Sequence, residues 1–136
     1  MKNLFLALAM VLVSSTAFSA PEMLRCKSQK GDVLFNFYPL SASWVHADGT
    51  TTEFLRYGNI CNQDVEKVNP KPNCRVEDVS EDHYVIQTLA CQHEGQWFAD
   101  AFIEISNISK EGRFQCKTKF GSQADINLNL SECQAY

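Results

Sequence analysis

The chain has 136 residues, a formal net charge of −4 and six cysteines. That length suits a single domain able to bury a modest core. The acidic balance excludes a non-specific nucleic-acid binder, whose affinity rests on cations that neutralise phosphates.

Met1-Lys2-Asn3 is a short basic start, and Leu4 to Val13 is an unbroken apolar run. The run is shorter than the roughly 20 residues of a membrane-spanning helix. Ser14 to Ser19 is small and polar, with Ala17 and Ser19 flanking Phe18, as a cleavage region requires. We expect residues 1–19 to be a cleaved signal peptide and 20–136 to be one disulfide-stabilised β domain, secreted or periplasmic, with no transmembrane span in the mature chain.

The mature chain repeats one short pattern three times. Leu24-Arg25-Cys26 precedes Gly31, Leu89-Ala90-Cys91 precedes Gly95, and Phe114-Gln115-Cys116 precedes Gly121. An apolar residue two places before a cysteine shares its face on a β-strand. Each copy therefore reads as a hairpin with a cysteine on its core side. Between and beyond them lie Cys61, Cys74 and Cys133. An even count behind an export signal implies up to three disulfides in an oxidising compartment, and the connectivity stays open. No C-x-x-C spacing is present, so zinc is not indicated. Our expectation for pairing is Cys61 with Cys74, Cys116 with Cys133 and, by elimination, Cys26 with Cys91.

In chain order, Asp32 to Tyr38 alternates, with Val33, Phe35 and Phe37 on one face, and Pro39 ends the strand. Ser43 to Ala47 and Thr50 to Tyr57 read as strands joined at Asp48-Gly49, the strongest signal for a tight two-residue turn. Gly58 to Asn73, rich in Asn and Pro, reads as a long loop bracketed by Cys61 and Cys74, either a stapled connection or a functional loop that supplies contacts. Arg75 to Val79 is a short strand and Ser80-Glu81-Asp82 a turn. His83 to Cys91 puts Val85, Gln87, Leu89 and Cys91 on one face. Trp97 to Ser106 alternates Trp97, Ala99, Ala101, Ile103 and Ile105 against Phe98, Asp100, Phe102 and Glu104. Asn107 to Gly112 is a turn, and Arg113 to Phe120 with Asp125 to Leu130 makes the last hairpin. Many short strands at regular spacing, with no long helix after the leader, indicate an all-β fold. We expect an antiparallel meander forming a small barrel or sandwich of about eight strands.

Residues that bear chemistry are scattered. His46, His83 and His93 are far apart, and no G-x-S-x-G element accompanies them. Glu77, Asp78, Glu81 and Asp82 cluster near a turn beside His83, where two carboxylates would serve a hydrolase as acid and base. Lys27 and Lys30 follow Cys26, and Lys117 and Lys119 follow Cys116, so corresponding hairpin ends would carry a basic spot for an acidic partner or an anionic glycan. Trp44, Trp97, Phe98 and Tyr57 would line a recognition surface or fill the core. Asn107-Ile108-Ser109 and Asn129-Leu130-Ser131 match the glycosylation sequon. No metal or cofactor is implied.

Cys26, Gly31, the Val33-Phe35-Phe37 alternation, Trp44-Val45, Asp48-Gly49-Thr50 and Phe54-Leu55 resemble the opening of the bacterial inhibitors of animal-type lysozyme. The resemblance covers about the first third of the mature chain and implies a small exported β-barrel that plugs an enzyme cleft. The inhibitory S-G-x-x-Y loop of that family has no counterpart after Leu55, where Gly58-Asn59-Ile60-Cys61 stands. No site residue is carried over.

The reading we take from the residues is an exported, non-catalytic β-module that binds a protein or glycan outside the cytoplasm. Its candidate contacts are Trp44, Trp97, Lys27, Lys30, Lys117 and Lys119. The alternatives are a small secreted hydrolase and a structural envelope component.

Overall fold

A computed structural model describes residues 22–37, 40–56, 61, 73–117 and 126–136. The expected leader and its cleavage point, most of the 58–73 loop, Tyr57, Lys119 and Gly121 lie outside the described residues. Nine strands follow one another: β1 (Met23–Ser28), β2 (Gly31–Asn36), β3 (Ser41–Val45), β4 (Thr51–Leu55), β5 (Cys74–Asp78), β6 (Tyr84–His93), β7 (Gln96–Ser106), β8 (Gly112–Cys116) and β9 (Ile126–Ala135). They form one antiparallel sheet in the order β4-β3-β2-β1-β9-β8-β7-β6-β5. Strands β1 to β4 pair in sequence order, as do β5 to β9, and the first and last strands join the two runs. The fold is therefore all-β and antiparallel, a meander whose two halves meet at β1 and β9. The sheet does not close through β4 and β5 among the described residues.

Alternation explains which face is buried. Val33 and Phe35 of β2, Val85 and Leu89 of β6, and Leu128 and Leu130 of β9 all point inward and are buried. The sheet curls enough for distant strands to touch across its inside. Phe114 of β8 lies 5.2 Å from the Phe35 ring of β2 and 6.0 Å from the Phe54 ring of β4. Each such ring contributes roughly 1.5–3 kcal/mol on full burial.

Three β-bulges adjust the alternation. Each sets two residues of one strand against one of its neighbour. Phe54 is the extra residue of β4, so Phe54 and Leu55 are both buried. Asp100 is the extra residue of β7. A third bulge in β9 sets Glu132 and Cys133 opposite Cys26, and Glu132 takes a φ of 49°. The bulge at Asp100 corrects the expected faces of Trp97 to Ser106. Ala101, Ile103 and Ile105 are buried as expected, but Trp97 and Ala99 are turned outward. The bulge at Glu132 also carries β9 five residues past the expected end at Leu130.

The turns differ from expectation in one respect. Gly49 donates its N–H to the His46 carbonyl, and His46 N–H bonds the Thr50 carbonyl, which closes a three-residue loop with Gly49 at φ 88°. The two-residue turn with positive φ at both central positions is Glu94-Gly95, at 52° and 80°, between the paired His93 and Gln96.

All six cysteines are bridged, but the expected pairing is wrong at every bond. The disulfides are Cys26–Cys133, Cys61–Cys116 and Cys74–Cys91. Two of them staple neighbouring strands. Cys74 stands directly opposite Cys91 on β5 and β6, and Cys26 meets Cys133 at the β1–β9 bulge. The third ties Cys61, buried in the connection after β4, to the inner face of β8. Three disulfides indicate an oxidising environment.

Candidate functional site

The outward face of β6–β9 carries a mixed set of side chains placed by the same alternation that fills the core. Tyr84 stands opposite Ser106, and Glu104 opposite Arg113, which in turn faces Asn129. Arg113 Nε donates to Glu104 Oε2 at 3.3 Å, and its guanidinium lies 5.3 Å from the centre of the Phe102 ring. Both partners are well exposed, so the ion pair adds little stability and mainly orients the two groups.

Beside this face the 107–111 turn rises as a wall. The Ser106 hydroxyl accepts the N–H groups of Ile108 and Ser109 at 3.2 Å, and Lys110 N–H bonds the Ser106 carbonyl at 2.9 Å. Lys110 takes a φ of 60°, and its carbonyl accepts the Cys133 N–H. The wall is thus fixed both to β7 and to β9. Gly112 closes the corner between wall and floor. A Cβ there would overlap the Glu104 carbonyl oxygen and come within 2.8 Å of Ile105 Cα. Floor and wall enclose an open trough of about 660 Å³. Tyr84 forms one end of it and is 45% exposed.

A second polar cluster lies at the opposite end of β6. His93 Nε2 and Asp100 Oδ2 are 2.7 Å apart, and both side chains are nine-tenths buried. Burial pushes the Asp100 carboxyl above the usual carboxylate range, while the His93 hydrogen bond and the nearby Lys117 charge act the other way. Phe98 packs near the imidazole, with ring centres 6.2 Å apart. The pair joins the two strands beside the bulge and crosslinks the β6–β7 hairpin.

The described residues among those singled out from sequence lie on different parts of the sheet. Trp44 is half-buried and stacks on Phe54 on the inner side, with ring centres 4.6 Å apart. Trp97 is outward, with the Arg75 guanidinium 4.3 Å from its ring centre. Lys27 is on the outer face, paired to Glu132 at 2.9 Å, beside a smaller hollow of about 210 Å³. The Glu132 carboxylate holds the exposed Lys27 ammonium above its ordinary pKa. Lys30 is exposed in the β1–β2 turn, and Lys117 sits beyond β8 with its N–H on the Asp100 carbonyl. Lys119 is outside the described residues. Two of the carboxylates near His83, Glu77 and Asp78, hold local structure. Glu77 pairs with Arg75, Asp78 accepts the Ser80 N–H and the Gln87 amide, and Glu81 and Tyr84 exchange two backbone bonds around Asp82 and His83. Among the described residues no three His, Cys, Asp or Glu side chains gather as metal ligands.

The trough and the His93–Asp100 pair were missed in the sequence. Outward positions 104, 113 and 129 are visible as polar alternation, but their meeting depends on strand order. Asp100 alternates with Phe98, Phe102 and Glu104 in the sequence, and the one extra residue in β7 buries it instead. Comparison with protein-family models, with curated proteins and with solved structures returns no match for this chain. The residues that carry the likeness to lysozyme inhibitors have structural work: Val33, Phe35 and Phe54 fill the core, Cys26 is bridged, and Asp48-Gly49-Thr50 forms a turn.

Proposed function

We propose that the chain is an exported, non-catalytic β-module that binds a partner outside the cytoplasm through the outer face of β6–β9. The trough carries this reading. It gathers polar side chains in an open hollow, on a sheet made rigid by three crosslinks. Concave sites with a few convergent polar groups are where ligands bind. The disulfides suit an oxidising compartment, and the basic start, apolar run and small residues of 1–19 have the composition of an export leader. A binding role is favoured over hydrolysis because two of the four clustered carboxylates are already engaged: Glu77 pairs with Arg75, and Asp78 accepts the Ser80 N–H and the Gln87 amide.

The test is site-specific photo-crosslinking in the protein's own cell. A photoreactive residue at Asn129, in the trough, should give an adduct in the extracytoplasmic fraction. One at Thr51, exposed on β4, should give none. Adducts at Thr51 alone, or at neither position, would end the proposal.

A further inference from the structure

The trough's chemistry narrows the partner, and this step rests on the binding reading just given. We propose that the trough is a subsite for a neutral, polyhydroxylated ligand: a saccharide chain laid across the outer face of β6–β9.

Charge comes first. Among the trough's charged groups, Arg113 is already paired with Glu104, which leaves Glu111 as the surplus charge. A phosphate, sulfate or uronate would meet that carboxylate and find its one guanidinium occupied. A single exposed carboxylate is also too weak to hold a free cation in water. The next consideration is the backbone. The strands of the floor are hydrogen-bonded to neighbours on both sides, so no edge is open there for a peptide strand to extend the sheet. The walls are the third. They are too polar for an apolar ligand, which wants hydrophobic lining.

What remains fits a sugar. Sugar hydroxyls both donate and accept, and so do the Asn129 amide and the Ser131 hydroxyl. Neither of those side chains, nor the Tyr84 hydroxyl, nor the Glu111 carboxylate, is hydrogen-bonded among the described residues. The apolar C–H face of a pyranose carries partial positive charge and rests well on the negative face of an aromatic ring. Tyr84, 45% exposed among the trough's lining residues, supplies the aromatic ring there. The hollow is of a size that holds a small oligosaccharide.

The experiment is a titration of the mature, oxidised protein, followed by amide NMR and calorimetry. The probes are chitotetraose, maltotetraose and cellotetraose, with tetragalacturonate as the anionic control. At least one neutral tetrasaccharide should shift the amides of Tyr84, Arg113 and Asn129. Tyr84→Ala should then weaken binding about tenfold, Tyr84→Phe should keep most of it, and Thr51→Ala should change nothing. Silence from all three neutral sugars, tighter binding of tetragalacturonate, or full affinity in both Tyr84→Ala and Asn129→Ala would overturn the assignment. A protein crosslinked at Asn129 together with silence from the sugars would sink the saccharide inference while leaving the binding role standing.

Discussion

His93 and Asp100 meet at 2.7 Å inside the β6–β7 hairpin because Asp100 is the residue the bulge adds to β7. Without it, alternation would send the carboxyl to the outer face. Asp100→Ala leaves a buried imidazole nitrogen without this partner and should cost about 1–3 kcal/mol in urea unfolding.

The same carboxyl sets a pH dependence. Its folded pKa is raised by burial. Folding therefore favours the protonated form, a contribution fully present below the unfolded pKa and lost as pH rises through the folded one. The stability of the native chain relative to Asp100→Asn should fall as pH rises above the ordinary carboxylate pKa. A difference that is flat, or rises with pH, would contradict the buried placement of this group.

Gln87 is fully buried on the inner face of β6, and among the described residues its side-chain oxygen has no hydrogen-bond partner. Its amide nitrogen donates to Asp78 at 3.1 Å. Leaving a buried acceptor unmet costs about 1–3 kcal/mol, more than one net hydrogen bond returns. Gln87→Met, similar in length and apolar, should be neutral or stabilising by about 1 kcal/mol. A loss above about 2 kcal/mol would show that the amide is needed.

Gly112 touches the β7 backbone so closely that any side chain displaces it. Gly112→Ala should destabilise by about 1–3 kcal/mol. It should also move the 107–111 turn and lower any trough-dependent binding. Unchanged melting and binding would refute the close approach.

The disulfides span 107, 55 and 17 positions. In the chain-entropy account, longer closed loops stabilise more: roughly 5, 4 and 3 kcal/mol in that order. Paired Cys→Ala replacements, made one bridge at a time, should rank Cys26–Cys133 as the most damaging loss and Cys74–Cys91 as the least. The reverse order would mean that local strain, not loop closure, governs these bonds.

Much of the sheet was legible because its strands are buried on one side. Val33 and Phe35, the Val85 to Cys91 face and Ile126 to Leu130 declare themselves by period two. Bulges were not legible, since Asp100 and Glu132 look like ordinary alternating residues until a partner strand is laid beside them. The disulfides failed for the same reason. Cys61–Cys74 looked natural along the chain, but bonding follows which strands are neighbours, and the β1–β9 joint brings together cysteines from opposite ends. The trough needed that same order, plus a glycine whose role is to let two strands approach.

An oxidised scaffold at work outside the cytosol is the premise from which the binding role follows. Peptide mapping without reduction, on protein isolated from its own cell, tests that most directly. The prediction is a new N-terminus at Ala20 and three links, Cys26–Cys133, Cys61–Cys116 and Cys74–Cys91. A retained Met1 with six free thiols would contradict it.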